Sequence, residues 1–160
     1  MKIRKATKED LKEIIDLWKD YEKFEDSLTD LRKHPYVEKR KDAEKNMRAN
    51  FLRSIKKRTA EILFAVEDNK IVGFIFISKS KSDDIHDFDY YGIVHYIYIK
   101  PEFRGRGIAS SLFEKSKYWF KRHKVKYINL NVNVNNKKAQ EIYKKWGFNN
   151  YEIGMWGVLK

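Results

Sequence analysis

The sequence predicts an α/β protein of the α+β type, and three observations carry that prediction. An apolar strand carrying Ile97 and Ile99 ends at a proline, and Ile128, Leu130, Val132 and Val134 alternate with polar residues, the period of a half-buried strand. A glycine-broken turn, Arg104-Gly105-Arg106-Gly107, joins the first of these strands to an amphipathic helix. After the second strand, Ala139, Ile142, Tyr143 and Trp146 recur at helical spacing and Gly147 supplies a stop.

The remaining elements follow in order. Residues 2–5 read as a first strand, and Thr7 with Asp10 three positions later resembles a capping box. Leu11, Ile14, Ile15, Trp18 and Tyr21 then form the apolar stripe of a helix. Ala43, Met47, Phe51 and Ile55, at steps of four, predict a second helix over about residues 36–57. Residues 62–66 and 71–78 read as a hairpin around Asp68-Asn69. Residues 79–89 read as a polar, acidic loop, and 91–99 as the central strand. The helix after the glycine turn runs to about His123, where Lys121, Arg122 and His123 suit the negative end of its dipole. Asn135 or Asn136 caps the next helix. A last strand closes the order β-α-α-β-β-β-α-β-α-β. No linker or repeat interrupts it, so residues 1–160 are expected to form one domain.

Composition excludes several chemistries. The chain has no cysteine, hence no disulfide, thiolate metal site or cysteine nucleophile. Its four histidines, His34, His86, His95 and His123, show no paired ligand spacing, so no metal is expected. No run approaches a membrane span and no signal-like apolar block opens the chain; a cytoplasmic protein without membrane association is expected. The formal charge of +12 suits an anionic ligand and admits nucleic-acid association, but no helix-turn-helix, zinc-finger or RNP pattern appears. Clusters such as Lys39-Arg40-Lys41 and Lys56-Lys57-Arg58 read more simply as solvated helix faces.

The glycine turn is the most informative segment. A strand ending at Pro101 and a helix starting near Ile108 leave backbone N–H groups unpaired at a positive helix terminus. Gly105 and Gly107 let an anion approach the backbone, and Arg104 and Arg106 add charge. These residues read as a diphosphate cradle. A dinucleotide fingerprint fails because Ser110 stands at the third glycine position, and the P-loop lysine is absent.

Arg-x-x-Gly-x-Ala over residues 104–109, between strand and helix, resembles motif A of the GCN5-related N-acetyltransferases (GNAT). Leu130, Val132, Asn136, Ala139, Ile142, Tyr143 and Gly147-Phe148 match every fixed position of that family's motif B. The resemblance implies a mixed central sheet flanked by about four helices, with a V-shaped slot between splayed central strands. It implies acetyl-CoA as co-substrate, its pyrophosphate held by Arg104, Gly105, Arg106, Gly107, Ile108 and Ala109. Its pantetheine arm would pair with a bulged strand near Ile97, Tyr98 and Ile99 and bond to Asn136, and Tyr143 would protonate the departing thiolate. A non-catalytic basic module of the same fold, binding coenzyme A or nucleic acid, is the alternative reading.

Acyl transfer to an amine sets further demands. About one alkyl amine in a thousand is neutral at pH 7, so a base is needed. Relatives place a Glu or Asp about six residues before the position of Pro101, where this chain has His95 and Tyr96; His95 has the chemistry of a base near neutrality. With no cysteine to carry an acetyl group, direct transfer in a ternary complex is the simplest scheme. Two acidic groups, Glu22, Glu25, Asp26 and Asp30, then Asp83, Asp84, Asp87 and Asp89, are candidates to attract a polyamine-like molecule, a lysine or a protein N-terminus. Aromatic residues near the C-terminus, Trp156 among them, suit either a homodimer contact or the core.

Overall fold

The computed structural model describes residues 1–28 and 39–155. Five strands form one mixed sheet in the order β1-β2-β3-β4-β5: β1 (Lys2–Lys5), β2 (Ala60–Glu67), β3 (Lys70–Lys81), β4 (Tyr90–Ile99) and β5 (Tyr127–Leu130). The first three pairings are antiparallel and β4–β5 is parallel. The β2–β3 turn sits where expected, with Asp68 and Asn69 both at positive φ, as a tight hairpin requires.

Helices cover both faces. α1 (Leu11–Leu28) and α2 (Ala43–Lys56) bury Ile14, Ile15, Trp18 and Phe51 against Phe64, Phe74, Phe76 and Tyr98. On the opposite face α3 (Ile108–Arg122) buries Ile108, Leu112, Phe113 and Phe120 against Ala65, Val72, Ile75 and Ile77. β2 and β3 are covered on both sides, so they read as nearly continuous apolar runs. α4 (Lys137–Lys145) follows β5, and Phe148 beyond it joins the second core. Asp10 anchors the start of α1: its carboxylate accepts the Thr7 N–H at 2.8 Å and takes two hydrogen bonds from Arg4, each 2.7 Å. None of the described helices is long and apolar enough to cross a membrane.

Four boundaries differ from expectation. α2 begins at Ala43, after a turn in which Arg40 pairs with Asp42 at 3.0 Å; residues 36–38 lie outside the described residues. β3 continues through Lys79, Ser80 and Lys81, which pair with Gly92, Tyr91 and Tyr90, so the loop shrinks to 82–89 and is closed by Ser82 N–H donating to the Asp89 carbonyl at 2.8 Å. β5 stops at Leu130 because asparagines take over: the Asn133 side chain accepts the Asn135 N–H at 2.9 Å and turns the chain. The expected last strand is not formed over residues 149–155, where Tyr151, Ile153 and Met155 are exposed; Trp156 lies outside the described residues.

Candidate active site

The site begins where the sheet comes apart. β4 pairs with β5 only from Tyr91–Tyr127 to Val94–Leu130, after which β4 runs on to Ile99 and the other chain turns away. A bulge sits at the fork. Phe76 opposes Tyr96 and Ile77 opposes Val94, leaving His95 as the extra residue. The bulge therefore lies at His95 rather than at Ile97, Tyr98 and Ile99, which keep regular partners in Ile75, Phe74 and Gly73. The His95 ring stacks on Phe76 with centroids 4.6 Å apart, and its Nε2 shares a 2.8 Å hydrogen bond with Ser78 Oγ. Burial lowers its pKa, so the imidazole is neutral at pH 7.

Beyond Ile99 a single turn, Pro101–Phe103, leads into the glycine loop. Gly105 and Gly107 have φ of 80° and 75°, and Gly107 is the residue before α3. A side chain there would meet nothing within 4 Å, so glycine is required by backbone geometry, and open space lies over the loop. The first N–H groups of α3 have no partner within the helix and face this space. The two arginines part company. Arg104 lines the slot, donating from Nε to the Ile99 carbonyl at 2.9 Å with its guanidinium 4.7 Å above the Phe24 ring. Arg106 turns outward to Glu67 at 3.4 Å and to the Glu102 carbonyl at 3.1 Å, and does not line the slot.

α4 forms the other wall. Of the two candidate caps Asn136 is the one used, its Oδ1 accepting the Ala139 N–H at 3.1 Å. Tyr143, two turns on, faces the slot; burial first, and the charge of Glu25 second, push its pKa up to about 12. Its phenol is a proton donor across the whole neutral range. Trp146 ties the wall down by stacking on Phe113 at 4.5 Å and donating Nε1–H to Ser110 Oγ at 3.1 Å, which fixes α4 against the start of α3.

A cavity of about 800 Å³ runs through the fork. It brings together His95, Ile97, Tyr98, Ile99, Arg104, Gly105, Gly107, Ile108, Ala109, Asn136 and Tyr143, and adds Lys137, Lys138 and Lys145 at its basic rim. Glu25, an acidic candidate in the sequence, lines it from α1 together with Tyr21, Phe24 and Leu28, which the sequence reading did not assign to a site; the i, i+3, i+4, i+7 spacing of these four was the available signal. Asn135 Nδ2 donates to the Leu28 carbonyl at 2.8 Å, binding that helix to the far wall. Of the acidic candidates only Glu25 is in the cavity. Glu22 and Asp26 hold Lys39 at 3.0 and 2.7 Å, Asp30 lies outside the described residues, and Asp83, Asp84, Asp87 and Asp89 do not reach the slot.

A mixed sheet forked between β4 and β5, with a helix N-terminus opening into the fork, defines an acyltransferase-type fold. The acetyltransferase (GNAT) family model matches residues 15–148, and the chain belongs to that family. It is 31% identical over 158 residues to an uncharacterized N-acetyltransferase of Methanocaldococcus jannaschii, covering 94% of this chain and 62% of that protein's length. An uncharacterized N-acetyltransferase of Archaeoglobus fulgidus is 26% identical, with 96% and 97% of the two chains covered. Among solved structures, a predicted acetyltransferase from Clostridium acetobutylicum, crystallised with acetyl-CoA, superposes with a TM-score of 0.78 at 21% identity, covering 99% of this chain and 95% of the other.

Proposed function

We propose that the protein transfers an acetyl group from acetyl-CoA to a primary amine, directly within a ternary complex. One observation carries the reading: a phenol held in its protonated form, Tyr143, faces the same cavity into which the N-terminus of α3 opens. The diphosphate of acetyl-CoA would lie on the amides of Gly107 to Ala109, with Arg104 and the lysines at the rim balancing its charge. The pantetheine arm would follow the free edge of β4 past Ile97, Tyr98 and Ile99 and reach Asn136. That path ends with the thioester between the His95 bulge and Tyr143. A bulge amide can then polarise the carbonyl as charge develops on its oxygen, and Tyr143 can protonate the thiolate as the C–S bond breaks.

The acceptor enters from the α1 side, and its class is a polyamine-like molecule, a lysine side chain or a protein N-terminus. Two groups in the cavity can take up its proton near neutral pH, His95 and Glu25. The test is calorimetric titration with acetyl-CoA, followed by thiol release from the loaded protein with polyamines, amino acids and peptides. Saturable binding with release for one amine class is expected. Absence of acetyl-CoA binding would overturn the reading and favour a basic module that binds nucleic acid.

A further inference from the structure

The two arginines of the glycine turn sit on aromatic rings of different origin. Arg106 lies over Phe103, a residue of the same turn, with its guanidinium carbon 5.1 Å from the ring centre. Arg104 lies over Phe24 at 4.7 Å, a ring delivered by α1 from the other end of the chain. Its guanidinium carbon is also 5.4 Å from the centre of the Tyr98 ring, which is buried on the α1 face of the sheet. One ring thus comes from β4 and the other from α1. Phe24 stands apart on its helix stripe in this respect: Tyr21, one turn earlier, meets Tyr96 edge-on at 5.0 Å, ring against ring, whereas Phe24 meets a charge.

The backbone adds further holds. Arg104 Nε donates to the Ile99 carbonyl at 2.9 Å, and its main-chain N–H donates to the Pro101 carbonyl at 3.2 Å. The Nε bond uses one of the five N–H donors of a guanidinium, and the two terminal amino groups carry the other four. Arg104 is therefore fixed at its backbone, at the entry to the glycine loop, and at its side chain, within the slot. An unheld arginine has rotamer freedom that a ligand must suppress on binding, which weakens affinity. An aromatic face attracts the cation, and a planar guanidinium stacks on it as an ammonium does not. Phe24 thus removes part of that cost before any ligand arrives.

We propose that Phe24 is a positioning residue for the co-substrate: it holds the Arg104 guanidinium in the slot, where the terminal amino groups meet the diphosphate of acetyl-CoA. This rests on the transferase reading above. In it α1 serves both substrates, since the helix from whose side the acceptor enters also fixes a charge that the acetyl donor needs.

The experiment measures acetyl-CoA affinity by calorimetry for the full chain and for Phe24→Leu, Phe24→Tyr, Arg104→Met and the double variant Phe24→Leu/Arg104→Met, with thermal melts to show that each is folded. Leucine keeps an apolar side chain and removes the aromatic face; tyrosine keeps the face. Phe24→Leu should weaken binding about 5- to 20-fold, and Phe24→Tyr should stay within about twofold of the parent. In the Arg104→Met background the same leucine substitution should cost less than about twofold, because no cation is left to hold. A merely structural role would give the same loss in both backgrounds. Equal losses, parental affinity in Phe24→Leu, or a Phe24→Tyr variant as weak as Phe24→Leu would each overturn the proposal. Should the leucine variant melt below the assay temperature, Phe24→Met takes its place under the same criteria. Failure of the parent protein to bind acetyl-CoA would instead remove the transferase reading, and this proposal with it.

Discussion

Tyr143 carries the sharpest consequence of any single side chain. In the proposed reaction its hydroxyl supplies the proton, while its ring is held by Trp146 and Phe148 at centroid distances of 5.4 and 6.2 Å. Tyr143→Phe keeps the ring and removes the proton. Turnover should fall about 10²-fold or more while the acetyl-CoA dissociation constant stays within about threefold, measured by thiol release and calorimetry on one preparation. Asp10 has a different kind of consequence. The Arg4 guanidinium holds its carboxyl at about 2, well below an ordinary aspartate. A depressed carboxyl stabilises the fold above its unfolded pKa and loses that contribution as pH falls through the folded value. Asp10→Asn should therefore lower the melting temperature at pH 7, and the gap to the parent should close between about pH 4 and pH 2. At this scale the sequence was legible where a residue type is demanded by backbone geometry, as at Gly107, or by a cap, as at Asn136. Arg106 was not, because its direction depends on Glu67, 39 residues away.

Elements explain what single residues cannot. The last part of β4 lies against β3 so closely that Gly73 has no room for a side chain: a Cβ would stand 2.5 Å from Ile99 Cδ1 and 2.6 Å from the Tyr98 carbonyl oxygen. The second contact is backbone, which cannot swing aside. Gly73→Ala should cost about 1–3 kcal/mol by chemical denaturation. It should also weaken acetyl-CoA binding, since it displaces the strand that lines the slot. The helix pattern of α1 shows why its contribution to the cavity wall escaped notice. An apolar stripe looks the same in sequence whether it presses on a sheet, as Ile14 and Trp18 do, or borders open space, as Phe24 and Leu28 do. Strand ends failed for a related reason. Lys79, Ser80 and Lys81 are polar and read as loop, yet pairing with β4 holds them in the sheet.

The whole molecule adds a field to the site. The chain has 35 basic and 23 acidic residues, and Lys137, Lys138 and Lys145 are among those lining the cavity. A polyanionic co-substrate should be drawn in by long-range attraction that salt screens over about 8 Å at physiological strength. Raising sodium chloride from about 50 to 500 mM should slow acetyl-CoA association more than it speeds dissociation, a split that stopped-flow binding can read. A salt-independent association rate would assign the charge to some other purpose. The residues of the two sequence motifs that line the cavity were legible because glycine, asparagine and tyrosine are fixed there by geometry at short range. The α1 side of the cavity is assembled from segments far apart in the chain, Leu28 meeting Asn135 across 107 positions, and no local pattern encodes such a meeting.

The extra residue in β4 has a bearing on how this protein can be altered. Because His95 is one too many for its partner strand, Val94 shares the α3 side of the sheet with Ile97 and Ile99, although simple alternation would place it with Tyr96 and Tyr98. Deleting that one residue would leave every neighbour facing the way it faces now and would let the ladder close without a gap. A tidier, tougher scaffold is thus a single deletion away, and it would have lost the irregularity at which its two central strands part. Mending the sheet in this way would trade the opening between its two central strands for regularity.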